Sequence, residues 1–243
     1  MAKKNKKMST RDRIIQVANH LFFEEGYTAT TASRIAKEVG ISTGNLTFHF
    51  PTKEHMLLEL VKVLCSFQWD LTLRAAKEIG FSPLLAYGLE ITLQTTVCEN
   101  SGIAREFYVS AYTHPLTLAE IREWDTRKAQ ELFGVYNPAW TETDFRLVEE
   151  LASGIEVAVL MSPCEDKVTL DEKIACTLHN LMRMYNVPDE ESDEVIRKIL
   201  AMDYPRIADD LLLLYREYID AAEEFKDAPV SYKDLITAGG AAE

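Results

Sequence analysis

Cysteine pairs, secretory signals and long apolar runs are all missing from this sequence. Its four cysteines are scattered over 243 residues without a CxxC pair, which predicts reduced thiols rather than a disulfide framework. No apolar stretch approaches the roughly 20 residues that a membrane-spanning helix needs. The basic N-terminal segment leads into no apolar region of the kind that secretory signals contain. We therefore predict a cytoplasmic protein without a membrane-bound part.

Several recognisable catalytic motifs are missing as well. The sequence contains no GxxxxGK phosphate loop, no HExxH metalloprotease pair and no GxGxxG dinucleotide fingerprint. We therefore predict no catalytic residues and no cofactor. An enzyme whose site is assembled from scattered residues is an alternative that the sequence leaves open.

Two groups of polar residues could suggest metal sites, but neither has the required pattern. Cys176 and His179 are three residues apart on a predicted helix, yet a structural zinc site has four ligands. The acidic run 189–194 lacks the alternating ligands and central glycine of a calcium loop. Such a run is typical of the start of a helix after Pro188, where acidic side chains interact favourably with the helix dipole. We therefore predict no metal site.

The charge is mostly negative but unevenly distributed. The net charge is −13, yet residues 1–55 carry nine Lys or Arg and five Asp or Glu, a net +4. The remainder carries 17 basic and 34 acidic residues, a net −17. A basic end on an acidic body is typical of a protein that meets phosphates at one end only. A body that is acidic merely for solubility is the alternative.

Apolar residues recur at helical spacing along nearly the whole chain, which predicts an all-α fold. Ser9 or Thr10, Thr31 and Ser42 are suited to cap the first three helices, and Gly26 and Gly40 to end the first two. A long fourth helix is predicted from Thr52 towards Ala76. Seven more are predicted over 83–99, 103–113, 116–133, 142–161, 170–186, 189–200 and 204–225.

The segment 31–46 has the construction of a helix-turn-helix. Two short helices meet at the tight turn 39–42, where Gly40 supplies a positive φ and Ser42 can satisfy free amides of the next helix. In such a motif the second helix enters the DNA major groove. Leu46 and Phe50 are four apart and should face inward.

The remaining side chains of the second helix and its surroundings are therefore candidates for DNA contacts. Asn can pair with adenine, Thr and Phe can touch a thymine methyl group, and His can donate to a base or a phosphate. Phosphate contacts would fix position while base contacts fix sequence. The candidate DNA-binding residues are Thr31, Arg34, Ser42, Thr43, Asn45, Thr47, Phe48, His49 and Lys53.

Residues 10–57 resemble the N-terminal domain of TetR-type regulators. The resemblance rests on Gly40-Ile41-Ser42-Thr43-Gly44 and on the segment 46–54, Leu-Thr-Phe-His-Phe-Pro-Thr-Lys-Glu. The family usually has tyrosine at the position of Thr47. The resemblance implies a three-helix DNA-binding head with its recognition helix at 43–49, phosphate contacts at Thr31 and Lys53, a helical ligand-binding body and a homodimer.

Two helices of the acidic body correspond by position to the dimer helices of the family. Helix 142–161 carries Phe145, Val148, Leu151, Ala152, Ile155 and Val159 at helical spacing. Helix 170–186 carries Leu170, Ile174, Leu178, Leu181, Met182 and Tyr185. We predict a four-helix dimer interface from these stripes. Packing of both helices inside one chain is the alternative.

A pocket for a small-molecule effector is predicted between the helices from residue 54 to about residue 135. Its candidate lining consists of large polar or aromatic side chains, since ligand pockets are mostly apolar with a few polar anchors. These candidates are Trp69, Tyr87, Tyr108, Tyr112, His114 and Trp124. Ordinary core packing is the alternative for each of them.

These observations predict three segments and one main function. Residues 1–52 form the helix-turn-helix domain with a basic arm, 53–228 the regulatory and dimerisation domain, and 229–243 a tail. The expected function is a ligand-responsive repressor, located at the bacterial nucleoid, that binds palindromic operator DNA as a homodimer. A DNA-binding adaptor for chromosome organisation or cell division would have the same head and is the main alternative.

Overall fold

The structure is a computed structural model that describes residues 8–79, 82–165 and 167–221. The described chain is all-α and contains no strand. Its helices are α1 Thr10–Glu24, α2 Ala32–Val39, α3 Thr43–His49, α4 Lys53–Ile79, α5 Pro83–Asn100, α6 Gly102–Thr113, α7 Pro115–Phe133, α8 Glu142–Met161, α9 Leu170–Met184, α10 Asp189–Leu200 and α11 Tyr204–Ala221. The predicted basic arm at residues 1–7, the end of the last predicted helix and the tail 229–243 lie outside the described residues.

Side-chain caps explain where most of these helices begin. The hydroxyls of Ser9, Thr31 and Ser42 each accept a hydrogen bond from the backbone amide three residues ahead. Reciprocal capping boxes open α8 at Thr141 and α9 at Thr169. The caps satisfy amides that have no partner within the helix, so local sequence alone determines these boundaries.

Helix α5 is the centre of the body. Every residue from Leu84 to Cys98 is buried, including several polar ones. The hydroxyls of Thr92, Thr95 and Thr96 donate to the carbonyls four residues earlier, which satisfies them within the helix. Gly88 lets α10 approach, because a Cβ there would lie 2.7 Å from Cδ1 of Ile199. The other helices of the body therefore pack around α5.

The head, formed by α1, α2, α3 and the first turns of α4, is joined to the body through α1. Gln16 donates from Nε2 to the carbonyl of Ile219 at 2.9 Å. The ring of Phe23 lies 4.8 Å from that of Phe107 on α6. The backbone amide of Thr28 donates to the carboxylate of Glu106, also on α6. Movement of α6 would therefore act directly on the head.

Candidate nucleic-acid interface and internal cavity

The turn between α2 and α3 has the predicted geometry. Gly40 has a φ of +77°, a conformation that costs glycine little and other residues more. The side chain of Arg13 donates to the carbonyl of Val39 at 2.9 Å and fixes the end of α2 against α1. Although Gly40, Ser42 and Gly44 match the GxSxG pattern of hydrolases, Ser42 Oγ accepts from the Asn45 amide as a helix cap. The segment is a helix-turn-helix and not a nucleophile elbow.

Helix α3 presents the predicted outward side chains. Leu46 and Phe50 are buried and fix the helix on the head. Phe48 is 84% exposed, which is unusual for a phenylalanine and leaves it free for contact with a thymine methyl group. Ser42, Thr43, Asn45 and Thr47 are exposed, and His49 is half-buried beside the Phe48 ring. Because Gly44 has no side chain, the backbone of α3 can approach a groove closely.

Arg34 and Thr31 lie on α2 beside this surface. The guanidinium of Arg34 forms ion pairs with Glu38 at 2.6 Å and Glu25 at 3.0 Å, and these carboxylates raise the pKa of Arg34. These pairs use two of the five guanidinium N–H donors, so a phosphate contact would use the remaining donors. The hydroxyl of Thr31 caps α2 as an acceptor, so its own proton remains available to a phosphate oxygen.

Lys53 has a structural role that the sequence analysis did not predict. Its Nζ donates to the carbonyls of Tyr27 at 2.7 Å and Thr30 at 3.0 Å, and it lies 4.0 Å from the centre of the Tyr27 ring. Burial lowers the pKa of Lys53. An ammonium group has three N–H donors, so a phosphate contact would have to use the third while the first two hold the α1–α2 connection.

An internal cavity of about 40 Å³ lies in the body. Helices α4, α5, α6, α7 and α8 surround it, and Tyr185 closes one side. Tyr87, Tyr108 and Tyr112 line it as predicted. Trp69, His114 and Trp124 do not lie among its lining residues. Trp69 is fully buried, and His114 caps α7 by accepting from the amide of Leu116. The cavity lies partly within the predicted range, residues 54 to about 135, but Glu149, Glu156 and Tyr185 line it from outside that range.

The cavity wall is much more acidic than predicted. Glu90, Asp125, Glu149 and Glu156 line it, and Lys128 is its one basic residue. Lys128 Nζ lies 2.9 Å from a Glu90 oxygen and 2.8 Å from an Asp125 oxygen. Burial alone would lower the pKa of Lys128, but Asp125 and Glu90 together raise it well above its usual value. This lysine is therefore charged and already paired.

Glu149 and Glu156 have tyrosine partners instead of cations. The hydroxyl of Tyr185 donates to Glu149 at 2.9 Å, and that of Tyr112 donates to Glu156 at 2.7 Å. Gln94 donates to the Tyr112 oxygen at 3.2 Å. Burial is the main reason that the pKa of Glu156 is raised to about 8, with the charge of Asp125 adding to it. The same two causes raise the pKa of Glu149 well above its usual range.

The predicted dimer helices have different environments from those expected. All of the α9 stripe except half-buried Leu170 is buried within the chain, so intramolecular packing accounts for it. On α8, Phe145 and Ala152 also face inward, but Leu147, Leu151 and Met161 are exposed. Beside them an open groove of about 910 Å³ runs between α8 and α9. The exposed apolar surface of these two helices is therefore the outer face of α8.

The comparisons with known proteins concern mainly the head. Residues 14–60 match the family model described as "Bacterial regulatory proteins, tetR family". The HTH-type transcriptional regulator QacR of Staphylococcus aureus is 45% identical over 56 residues, which are 23% of this chain and 30% of QacR. The HTH-type transcriptional regulator AcrR of Shigella flexneri is 32% identical over 103 residues, 41% of this chain and 48% of AcrR.

The N-terminal head is therefore similar to that of tetR-family regulators. The matched regions span less than half of these curated relatives. The similarity therefore concerns mainly the head and says little about the body. Both are transcriptional regulators by name, as are further curated relatives that match this chain.

The chain has the fold of a solved helical structure. The crystal structure of RolR in complex with resorcinol superimposes with a TM-score of 0.57 at 20% identity, covering 77% of this chain and 92% of RolR. RolR without ligand gives a TM-score of 0.53 at 19% identity, with 76% and 95% covered. At this identity the likeness establishes the fold of a helix-turn-helix head on a helical body. It confirms the predicted all-α class.

None of the helices within 8–79, 82–165 and 167–221 is long and apolar enough to cross a membrane. The same part of the chain holds no cluster of three or more His, Cys, Asp or Glu side chains placed to bind a metal ion.

The acidic cavity predicts an unusual dependence of stability on pH. Folded Glu156 holds its proton up to a pH of about 8, whereas an unfolded glutamate releases it near 4.3. Stability from this group is complete below the lower value and is lost as pH rises through the upper one. We expect the midpoint of thermal unfolding, followed by circular dichroism, to fall between about pH 6 and about pH 8. Glu156→Gln should flatten the slope, whereas Glu150→Gln, exposed on the same helix, should keep it.

Lys53 provides a second prediction with two separable readouts. Lys53→Met removes both bonds to the α1–α2 connection, so we expect a lower midpoint of thermal unfolding. If the lysine also contacts a phosphate, the slope of log affinity for DNA against log salt concentration falls by about one. Lys167→Met, at an exposed position of the body, should change neither quantity. An unchanged salt slope with a lowered midpoint would assign Lys53 to the head's stability alone.

Proposed function

We propose that the protein is a sequence-specific transcriptional regulator that binds a palindromic operator as a homodimer and releases it when a small molecule enters the cavity. The observation that carries the proposal is the outward face of α3. Exposed Thr43, Asn45, Thr47 and Phe48 stand on a helix that Leu46 and Phe50 fix to a tetR-family head. Such a surface fits a major groove.

The outer face of α8 supports the homodimer. Exposed leucines on a single helix are costly in water and are typical of an interface. In a two-fold dimer the same patch of each copy would meet, so α8 would pack against its own counterpart. Two heads would then reach successive major grooves about 34–36 Å apart.

Two helices connect the cavity with the head and support ligand-controlled release. Helix α4 packs Met56 and Leu57 in the core and places Leu64 and Gln68 at the cavity. In α6, Phe107 lines the cavity and also stacks on Phe23 of the head. A ligand would shift the head only if it bound the DNA-free arrangement more tightly, since equal affinity shifts nothing.

Selection of genomic DNA fragments by the purified protein at near-physiological salt tests the proposal. We expect enrichment of one or a few palindromic sites upstream of genes. Many sites spread along the chromosome would instead indicate a chromosome-organising or cell-division adaptor. If no fragment is enriched, the proposed function is wrong.

Asn45 should read a base within the selected site. Asn45→Ala is expected to cost about 1–3 kcal/mol against the cognate site and little against random DNA. The matched control is Asn100→Ala, which removes an exposed amide from the body and should change neither affinity. Gel-shift titrations on both DNAs measure the difference. Equal losses on cognate and random DNA would exclude a reading role for Asn45.

A further inference from the structure

The charges around the internal cavity do not balance. Four carboxyl groups and one ammonium group line it. Lys128 is already held between Glu90 and Asp125 at 2.9 and 2.8 Å. Glu149 and Glu156 therefore have no cation of their own in the cavity wall. Buried carboxylates without a cation are costly and are usually either protonated or paired.

Glu149 also has an unused acceptor. Its Oε2 accepts from Tyr185, but its Oε1 is buried without any hydrogen-bond partner among the described residues. Unsatisfied buried polar atoms are uncommon in folded proteins. Within the same wall the side-chain amide nitrogen of Gln68 and the hydroxyl of Tyr108 are also buried and unpartnered. The cavity thus offers free hydrogen-bonding groups next to two carboxyl groups that have no cation as a partner.

The two glutamates lie on one face of α8, with aromatic rings around them. Residues seven apart in an α-helix share a face and are separated by about 10 Å along the axis. Tyr87, Tyr112 and Tyr185 line the same space. Aromatic faces attract organic cations, most strongly where water is excluded. The combination of unpaired carboxyls and rings is suited to a cation with an apolar body.

We propose that the effector is a small organic cation, a protonated or quaternary amine with an apolar body, held between Glu149 and Glu156. The inference rests on the proposed function in treating the cavity ligand as the effector, although the charge preference of the cavity can be tested without DNA. A neutral hydrogen-bonding ligand, received by protonated carboxyls, is the competing outcome.

Binding of such a cation displaces a proton. Burial raises the pKa of Glu149 well above its usual range and that of Glu156 to about 8, so Glu156 holds a proton near neutral pH in the free protein. The titratable and charged groups that face them from the surrounding elements are Tyr87, Glu90, Tyr112, Asp125, Lys128 and Tyr185. A bound cation favours the ionised carboxylate, so its affinity rises with pH until the free glutamate is itself ionised.

The small volume of the cavity links binding of a ligand to a change in the shape of the body. A cavity of about 40 Å³ is room for only a few water-sized groups. An amine with an apolar body therefore has to push the lining helices apart. Since Phe107 and Gln68 belong to helices that reach the head, the expansion would act on the DNA-binding surface.

Calorimetric titration of the full chain with matched ligand pairs tests the proposal. The probes are primary, secondary and quaternary amines, each paired with the neutral alcohol or ether of the same shape, for example 2-phenylethylamine with 2-phenylethanol. We expect amines to bind and their neutral partners to bind at least about tenfold more weakly, with amine affinity rising up to about tenfold per pH unit below about pH 8. Glu149→Gln and Glu156→Gln should each lower amine affinity at least about tenfold. Glu150→Gln, exposed on the same helix, should not.

Three results would overturn the inference. They are equal binding of the neutral partners, no binding by any amine of the panel, or unchanged amine affinity in both cavity variants. Operator binding of the wild type and the variants is measured separately without any probe. If the wild type did not recognise an operator, the proposed regulatory function would be wrong. A preference for amines measured in the same protein would still support the proposed cation selectivity of the cavity.

Discussion

Leu151→Glu is expected to convert the protein from a dimer into a monomer and to lower its operator affinity at least about a hundredfold. Leu151 is 65% exposed on the outer face of α8, so the change does not disturb the core of one chain. In a two-fold dimer each substitution appears twice, which places two buried carboxylates in one apolar interface. Separated chains lose the second head as an intramolecular partner, and with it the gain from bivalent binding.

Val135→Glu is the matched control for this prediction. Val135 is 78% exposed and lies in the connection between α7 and α8, outside both helices. It should leave both the molecular mass in sedimentation equilibrium and the operator affinity unchanged. A Leu151→Glu protein that remains dimeric would show that α8 is not the interface. A monomer with unchanged operator affinity would show that dimerisation does not serve DNA binding.

The head was predictable because its structure is determined locally. Caps at Ser9, Thr31 and Ser42 and the positive φ of Gly40 depend on neighbours within a few residues. The inward position of Leu46 follows from helical spacing alone. These effects depend on residues that are close together in the sequence, so a local sequence pattern is enough to predict them.

The cavity was not predictable in the same way, because α8 has its polarity reversed. Its glutamates Glu149 and Glu156 are buried while its leucines Leu147 and Leu151 are exposed. A sequence pattern assigns leucines to the core and glutamates to solvent. These positions depart from the usual pattern because one face of α8 borders the polar cavity and the opposite face is exposed. Only the packing of α5, α6 and α7 against α8 reveals which face is which.

Lys53 illustrates a different limit of sequence reasoning. A lysine beside a helix-turn-helix is typically assigned to a phosphate, and its spacing gave no reason to expect otherwise. Its bonds to Tyr27 and Thr30 span more than 20 residues of chain. Such contacts depend on how α1 and α4 pack, which is information that the local pattern does not contain.

Lys128→Met is expected to lower the free energy of unfolding by about 3–5 kcal/mol. The lysine side chain is only 8% exposed and pairs with both Glu90 and Asp125. Methionine preserves most of its apolar stem but leaves two carboxylates in the cavity wall without a cation. Removing one partner of a buried pair is costly because the remaining charge cannot recover its water. Denaturant unfolding followed by tryptophan fluorescence measures the loss.

The double variant Lys128→Met with Glu90→Gln shows where that loss originates. Replacing both partners of a buried pair is often nearly neutral, so we expect the second change to restore part of the stability. The control is Lys198→Met, which breaks an exposed pair with Glu194 and should cost less than about 1 kcal/mol. Acidic pH should also reduce the loss in the single variant, because Glu90 then becomes neutral, and burial already raises its pKa.

A double variant less stable than Lys128→Met would contradict this account. It would mean that Glu90 contributes through its shape or other contacts rather than through its charge. If the second change restores part of the stability, Lys128 serves to neutralise Glu90 and Asp125. Glu149 and Glu156 are then the two carboxyl groups of the cavity that have no cation as a partner. The stability of the free protein and the charge preference of the cavity would then have the same origin, a body that encloses more negative charge than its own residues neutralise.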